Sequence, residues 1–145
     1  MRKPLLHALF ATMAVALAAV LCACGSGGVD PSEGVTFQND LDARIEAVYI
    51  TSTEVDTWGE PIDGSSLGAG KSVVFDGDVL PETVLDTYDV GVLDENDMVY
   101  EFYRVPIVEG NKLTIFVGTD NPVLVVTDES GNDTAIDGYS YQFEG

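Results

Sequence analysis

Thr87-Tyr88-Asp89-Val90-Gly91-Val92-Leu93-Asp94-Glu95-Asn96-Asp97-Met98-Val99-Tyr100-Glu101-Phe102-Tyr103-Arg104-Val105 is the stretch that decides the fold. Tyr88, Val90 and Val92 alternate with the residues between them, the period of a strand with one buried face. Asp94-Glu95-Asn96-Asp97 is turn chemistry, because Asn tolerates a positive φ. A second β-type run, 98–105, follows at once, so the segment reads as a hairpin. Val99, Phe102, Tyr103 and Val105 mix the two faces of that second strand.

The same grammar extends in both directions. Short β-type runs at 35–38, 44–51, 72–75, 113–117 and 123–127 are separated by Gly, Asp, Asn and Pro. In 44–51, Ile45, Ala47 and Tyr49 are expected on one face and Val48 and Ile50 on the other. A last run, 135–143, aligns Tyr139, Tyr141 and Phe143 but is interrupted by Gly138. Pro106 and Pro122 fall at strand borders, where a missing N–H is tolerated. Nowhere in 35–145 does a 3.6-residue apolar period persist, and no fixed-period repeat is present. Seven or eight strands at this spacing predict an all-β domain, an antiparallel two-sheet sandwich, with a small β-barrel as the alternative closure. About 110 residues suit a single domain.

Charge divides the 145 residues sharply. Arg2, Lys3 and the single His, His7, precede residue 24, whereas all 25 acidic side chains follow residue 29, for a net charge of −19. Loss of residues 1–23 would remove two of the six basic side chains and no acid, leaving −21. That remainder has no His and one Cys. Such a composition excludes His general bases, Ser-His-Asp triads, His or Cys zinc sites and internal disulfides. It also speaks against nucleic acid, which requires a basic surface.

Residues 1–23 have the form of a secretory signal: Arg2-Lys3, then a nearly unbroken apolar run from Leu5 to Leu21. Leu21-Cys22-Ala23-Cys24 resembles the cleavage box of bacterial lipoproteins, with an apolar residue at −3, a small one at −1 and then Cys. Cys22 at −2 departs from the commoner choices at a permissive position. The resemblance implies cleavage before Cys24 and a thioether-linked diacylglycerol on it, hence an extracytoplasmic protein held to a cell membrane or outer membrane. Several acyl chains anchor stably where one would not. Residues 24–34 then read as a Gly-rich tether; about ten such residues span roughly 17–19 Å r.m.s.. The domain's acidity is expected to repel an anionic bilayer, which predicts no second membrane contact.

A further resemblance covers roughly residues 35–108. Tyr49-Ile50, Trp58-Gly59, Leu67, Gly70, Tyr88-Asp89-Val90 and Asp94 are similar to a pattern found in small secreted bacterial β-domains. It supports the sandwich and implies no activity.

If successive strands alternate in direction, loops 52–71, 94–97 and 118–122 share one end of the sandwich. Loops at one end of a rigid scaffold are where binding resides. Asp56, Asp63, Asp94, Asp97 and Asp120 would then supply the hard oxygens that Ca²⁺ takes. The alternative is that acidic turns keep the domain soluble and its edges unpaired. Asp128 to Asp133 superficially suggests a Ca²⁺ loop but lacks Gly at its sixth position. Trp58, with Glu60 beside it, either caps the core or anchors a protein or glycan partner. Paired carboxylates leave a glycosidase as a remote alternative. The sequence therefore predicts a non-catalytic binding or structural module, with a Ca²⁺-ordered sandwich as the second reading.

Overall fold

The computed structural model describes residues 29–145. The signal, the cleavage box and Cys24 lie outside the described residues. Nine strands follow in order: β1 (Gly34–Asn39), β2 (Ile45–Ser52), β3 (Ser72–Asp76), β4 (Tyr88–Asp94), β5 (Met98–Val105), β6 (Lys112–Val117), β7 (Pro122–Thr127), β8 (Asp133–Asp137) and β9 (Tyr139–Gln142). A 3-10 turn, Gly77–Val79, follows β3. The strands form two sheets, β3-β1-β6-β7-β8 and β2-β4-β5-β9. This is the expected two-sheet sandwich.

Alternation supplies the core. Val35 and Phe37 of β1, Leu113 and Ile115 of β6, and Leu124 and Val126 of β7 face Val48 and Ile50 of β2, Val90 and Val92 of β4, and Tyr100 and Phe102 of β5. Each such apolar side chain stabilises the fold by about 1.5–3 kcal/mol on full burial, before the entropy of ordering the chain is counted.

Two irregularities correct the expected faces. The β2–β4 register shifts between Ile45 and Ala47, so Ile45 turns into the core with Val48 while Ala47 and Tyr49 face outward. In β5, Arg104 has φ 56° and the β4–β5 register shifts beside it, which lets Phe102 and Val105, three residues apart, both point inward. An inserted residue reverses the phase of a strand. The buried carboxylate of Asp89 holds the second irregularity in place: its Oδ1 accepts from Arg104 N at 3.0 Å and from Thr53 Oγ1 at 2.9 Å.

The pairing of β1 with β6 is parallel, unlike the other strand pairs. The chain crosses between sheets after β1, β2, β3, β5 and β8, and β1 and β6 become neighbours without a hairpin between them. Residues 30–33, read from composition as part of a tether, are ordered by local bonds. Glu33 N bonds Asp30 O and Ser32 N bonds Asp30 Oδ1, so residues 30–33 form a turn leading directly into β1.

The predicted last strand is really two. Gly138 stands between β8 at the edge of one sheet and β9 at the edge of the other. A Cβ there would lie 2.5 Å from Cδ1 of Phe102, a fully buried core ring. Gly138→Val is therefore expected to lower stability by about 1–3 kcal/mol, the usual cost of overpacking, in a urea titration.

Candidate functional site

A sandwich needs only its inner faces to be apolar. Here the outer face of β2-β4-β5-β9 carries a second cluster: Tyr49, Trp58, Leu93 and Val99, with Ala47, Tyr103, Tyr141 and Phe143 packed against them. Register fixes their positions. Tyr49, Gly91, Glu101 and Tyr139 lie in one row across the four strands, and Ala47, Leu93, Val99 and Tyr141 lie in the next.

Trp58 reaches this face because of the path its loop takes. Residues 53–71 run back along the open edge of β2. Ile62 N bonds Val48 O at 2.8 Å, Val48 N donates to Ser65 Oγ at 3.0 Å, and Ile45 and Leu67 exchange both backbone bonds at 2.9 Å. The indole meets Tyr49 edge-on, with ring centroids 6.5 Å apart, and Tyr103 at 6.3 Å. Those tyrosines flank β4, so the indole bridges β2 and β5 across it, near the position where Gly91 contributes no side chain. Trp58 is 2 % exposed and serves as a packing group. The row of rings continues from Tyr103 to Tyr139 at 6.2 Å, and Tyr139 is 53 % exposed.

Two polar groups are sealed into this face. The Glu101 carboxylate is buried and accepts from Tyr103 Oη through one oxygen and Tyr141 Oη through the other, each at 2.8 Å. Tyr49 is fully buried, and its hydroxyl has no hydrogen-bond partner among the described residues. Burial, and then the negative charge of Glu60, push its pKa up to about 12. Glu101 and Tyr103 are not singled out as site residues from sequence, whereas Tyr141 is read there only as part of the Tyr139, Tyr141, Phe143 stripe. The available signal was a carboxylate in the middle of an otherwise apolar strand, with a Tyr two residues on.

The acidic residues expected to gather at one end do not gather. The long loop starts at the Ser52/Tyr88 end of the second sheet, whereas the 94–97 turn lies at the Ile45/Asp94 end. Asp56 follows the first end, Asp63 lies along the flank of β2 next to Ile62, and Asp97 and Asp120 are exposed at the second end. Asp94 is buried and occupied: its Oδ1 accepts from Asn96 N and Met98 N, and its Oδ2 from Tyr100 Oη. Burial, and then Asp94, raise the Tyr100 pKa to about 12. The Asp128 turn is likewise self-sufficient. Asn132 N, the Asn132 side chain and Ser130 N donate to its carboxylate and hold its pKa below the usual range. Among the described residues, no three acidic, His or Cys side chains form a metal-holding group.

Three outcomes are expected. Removing the unpartnered hydroxyl with Tyr49→Phe should raise stability by about 1 kcal/mol at neutral pH, since a buried unsatisfied group is costly. The folded pKa of Tyr49 and Tyr100 exceeds the unfolded value near 10, so the native state holds more protons between pH 10 and 12. Stability should therefore fall as pH rises through that window, and less steeply in Tyr49→Phe or Tyr100→Phe, measured by urea titration at each pH. Separately, millimolar Ca²⁺ or a chelator should leave the melting temperature unchanged; a Ca²⁺-dependent rise would signify binding to the native state.

No protein-family model matches this chain, and no curated protein or solved structure is detectably similar to it.

Proposed function

We propose that this chain is an extracytoplasmic lipoprotein, anchored through lipid on Cys24, that acts as a non-catalytic binding module. Its contact surface is the aromatic outer face of β2-β4-β5-β9, entered at Tyr139. The observation that carries this reading is the second apolar cluster on the outside of a sandwich whose inner core is already complete. Aromatic rings with polar tips, partly open to solvent, are the composition of contact surfaces. The chain's large negative charge favours a partner with a basic surface, steered by long-range attraction. Supporting the location is the Leu21-Cys22-Ala23-Cys24 box, followed by a Gly-rich stretch.

Cys24→Ser is expected to move the protein from the membrane fraction to the soluble fraction, with loss of the lipid mass. A photo-crosslinking residue at position 139 should capture an envelope component that the same residue at Thr134, exposed on the other sheet, does not. Equal capture at both positions would remove the contact surface from this reading.

A further inference from the structure

Exposed apolar side chains are concentrated at one end of the sandwich. Of six large hydrophobic residues exposed among the described residues, four are Val55, Val84, Leu85 and Val108, which are 45, 88, 60 and 62 % exposed. Val55 follows the C-terminal end of β2, Val84 and Leu85 lead into β4, and Val108 follows β5. Ser52 and Val105 both pair with Tyr88, which puts these loops at a common end.

The loop at 83–85 is held in this position. Glu54 Oε1 accepts from Val84 N at 2.8 Å, Leu85 N at 2.7 Å and Thr83 Oγ1 at 3.2 Å. One carboxylate thus binds the start of the long loop to the 83–85 segment and fixes two adjacent apolar side chains facing water. Desolvation tends to raise the Glu54 pKa, but the bonds from Leu85, Val84, Thr83 and Ser52 together outweigh it and lower it.

The chain also enters the domain at this end. β1 begins at Gly34, which pairs with Asp76 and whose carbonyl accepts from Gly110 N at 2.7 Å. Val29 packs beside Gly34. Four residues lie between Cys24 and Val29, so a lipid on Cys24 holds the Cα of Val29 within about 18 Å of the Cα that bears it. The eight residues of β2 extend about 27 Å. A sandwich standing on such a short leash presents the Val84 end, not the Asp94 end, to the membrane.

We infer that the Val55, Val84, Leu85 and Val108 end docks on the bilayer that anchors the chain, its apolar tips entering the interface between lipid headgroups. This rests on the lipid-anchor reading and adds an orientation to it. The leash supplies a high local concentration, so side chains too few to bind a membrane from solution suffice. Asp76, Asp78, Glu82, Asp86 and Glu109 belong to the same end, which selects lipid without net charge. The repulsion expected from the chain's acidity then acts against anionic lipid alone. With that end on the membrane, the Tyr139 face stands at the side of the sandwich, open to a partner.

The test uses the full chain, matured to its membrane form and reconstituted in phosphatidylcholine vesicles. A fluorophore is attached at Val84→Cys or, as control, at Asp120→Cys, and quenching by nitroxide-labelled lipid is read in protein that sediments with the vesicles. Quenching at 84 is expected to be several-fold that at 120, and to weaken when phosphatidylglycerol is mixed in. Leu85→Glu should abolish quenching of a probe at Val108→Cys while sedimentation persists. Sedimentation with equal, weak quenching at 84 and 120 overturns the docking and leaves the anchor standing. Failure to sediment, with no difference from Cys24→Ser, overturns both. A photo-crosslinker at 84 that captures a protein instead of lipid also overturns the docking.

Discussion

The open edge of β2 is the constraint on which the rest depends. An edge strand presents unpaired N–H and C=O groups that must find partners or stay wet. Residues 53–71 meet that demand by running back along the strand through Ile62, Ser65 and Leu67. Their course then delivers the chain to Asn39, whose N–H bonds Lys71 O and whose carbonyl accepts from Gly70 N. The fully buried Asn39 side chain fastens this corner, donating to Ala43 O and Leu67 O and accepting from Leu41 N. From there β3 joins the other sheet. A loop that merely turned at the end of β2 would have left Trp58 in water and Tyr49 exposed.

Once Trp58 lies across β4, the outer face becomes a low-dielectric environment. That is why a carboxylate there needs hydrogen-bond donors and a phenol there resists ionisation. Glu101 is tolerated because two tyrosine hydroxyls satisfy it, one on each oxygen. Tyr49, in the same row, has no such partner and resists ionisation. The abundant acids elsewhere follow the opposite rule. Asp94, Asp128 and Glu54 spend their oxygens on backbone N–H groups of nearby turns and loops, an arrangement that shapes loops and leaves little for a cation.

The two ends of the sandwich are correspondingly unequal. The end where β1 begins is where the chain enters the domain, and it carries most of the exposed apolar side chains. The opposite end is built from satisfied turns around Asp94 and Asn39. The aromatic face lies between them, along one side. If Cys24 carries lipid, attachment and membrane docking share one end of the domain, and partner contact takes its side.

The amino-acid sequence by itself determined that the chain is all-β, where its turns fall and which residues alternate inward, because strand period and turn chemistry are local properties. Val48, Val90, Val92 and Phe37 are legible in this way. It also determined the composition of the acidic surface. Tertiary structure alone decided which sheet each strand joins, that β1 meets β6 in parallel, that Gly138 divides the last strand, and that Asp56 and Asp94 lie at opposite ends. Those features depend on contacts between residues far apart in the chain: Phe102 against Gly138, Leu67 against Ile45, Arg104 N on Asp89. A one-residue bulge reverses every face after it, and nothing in the alternation of Ile45 to Tyr49 announces one.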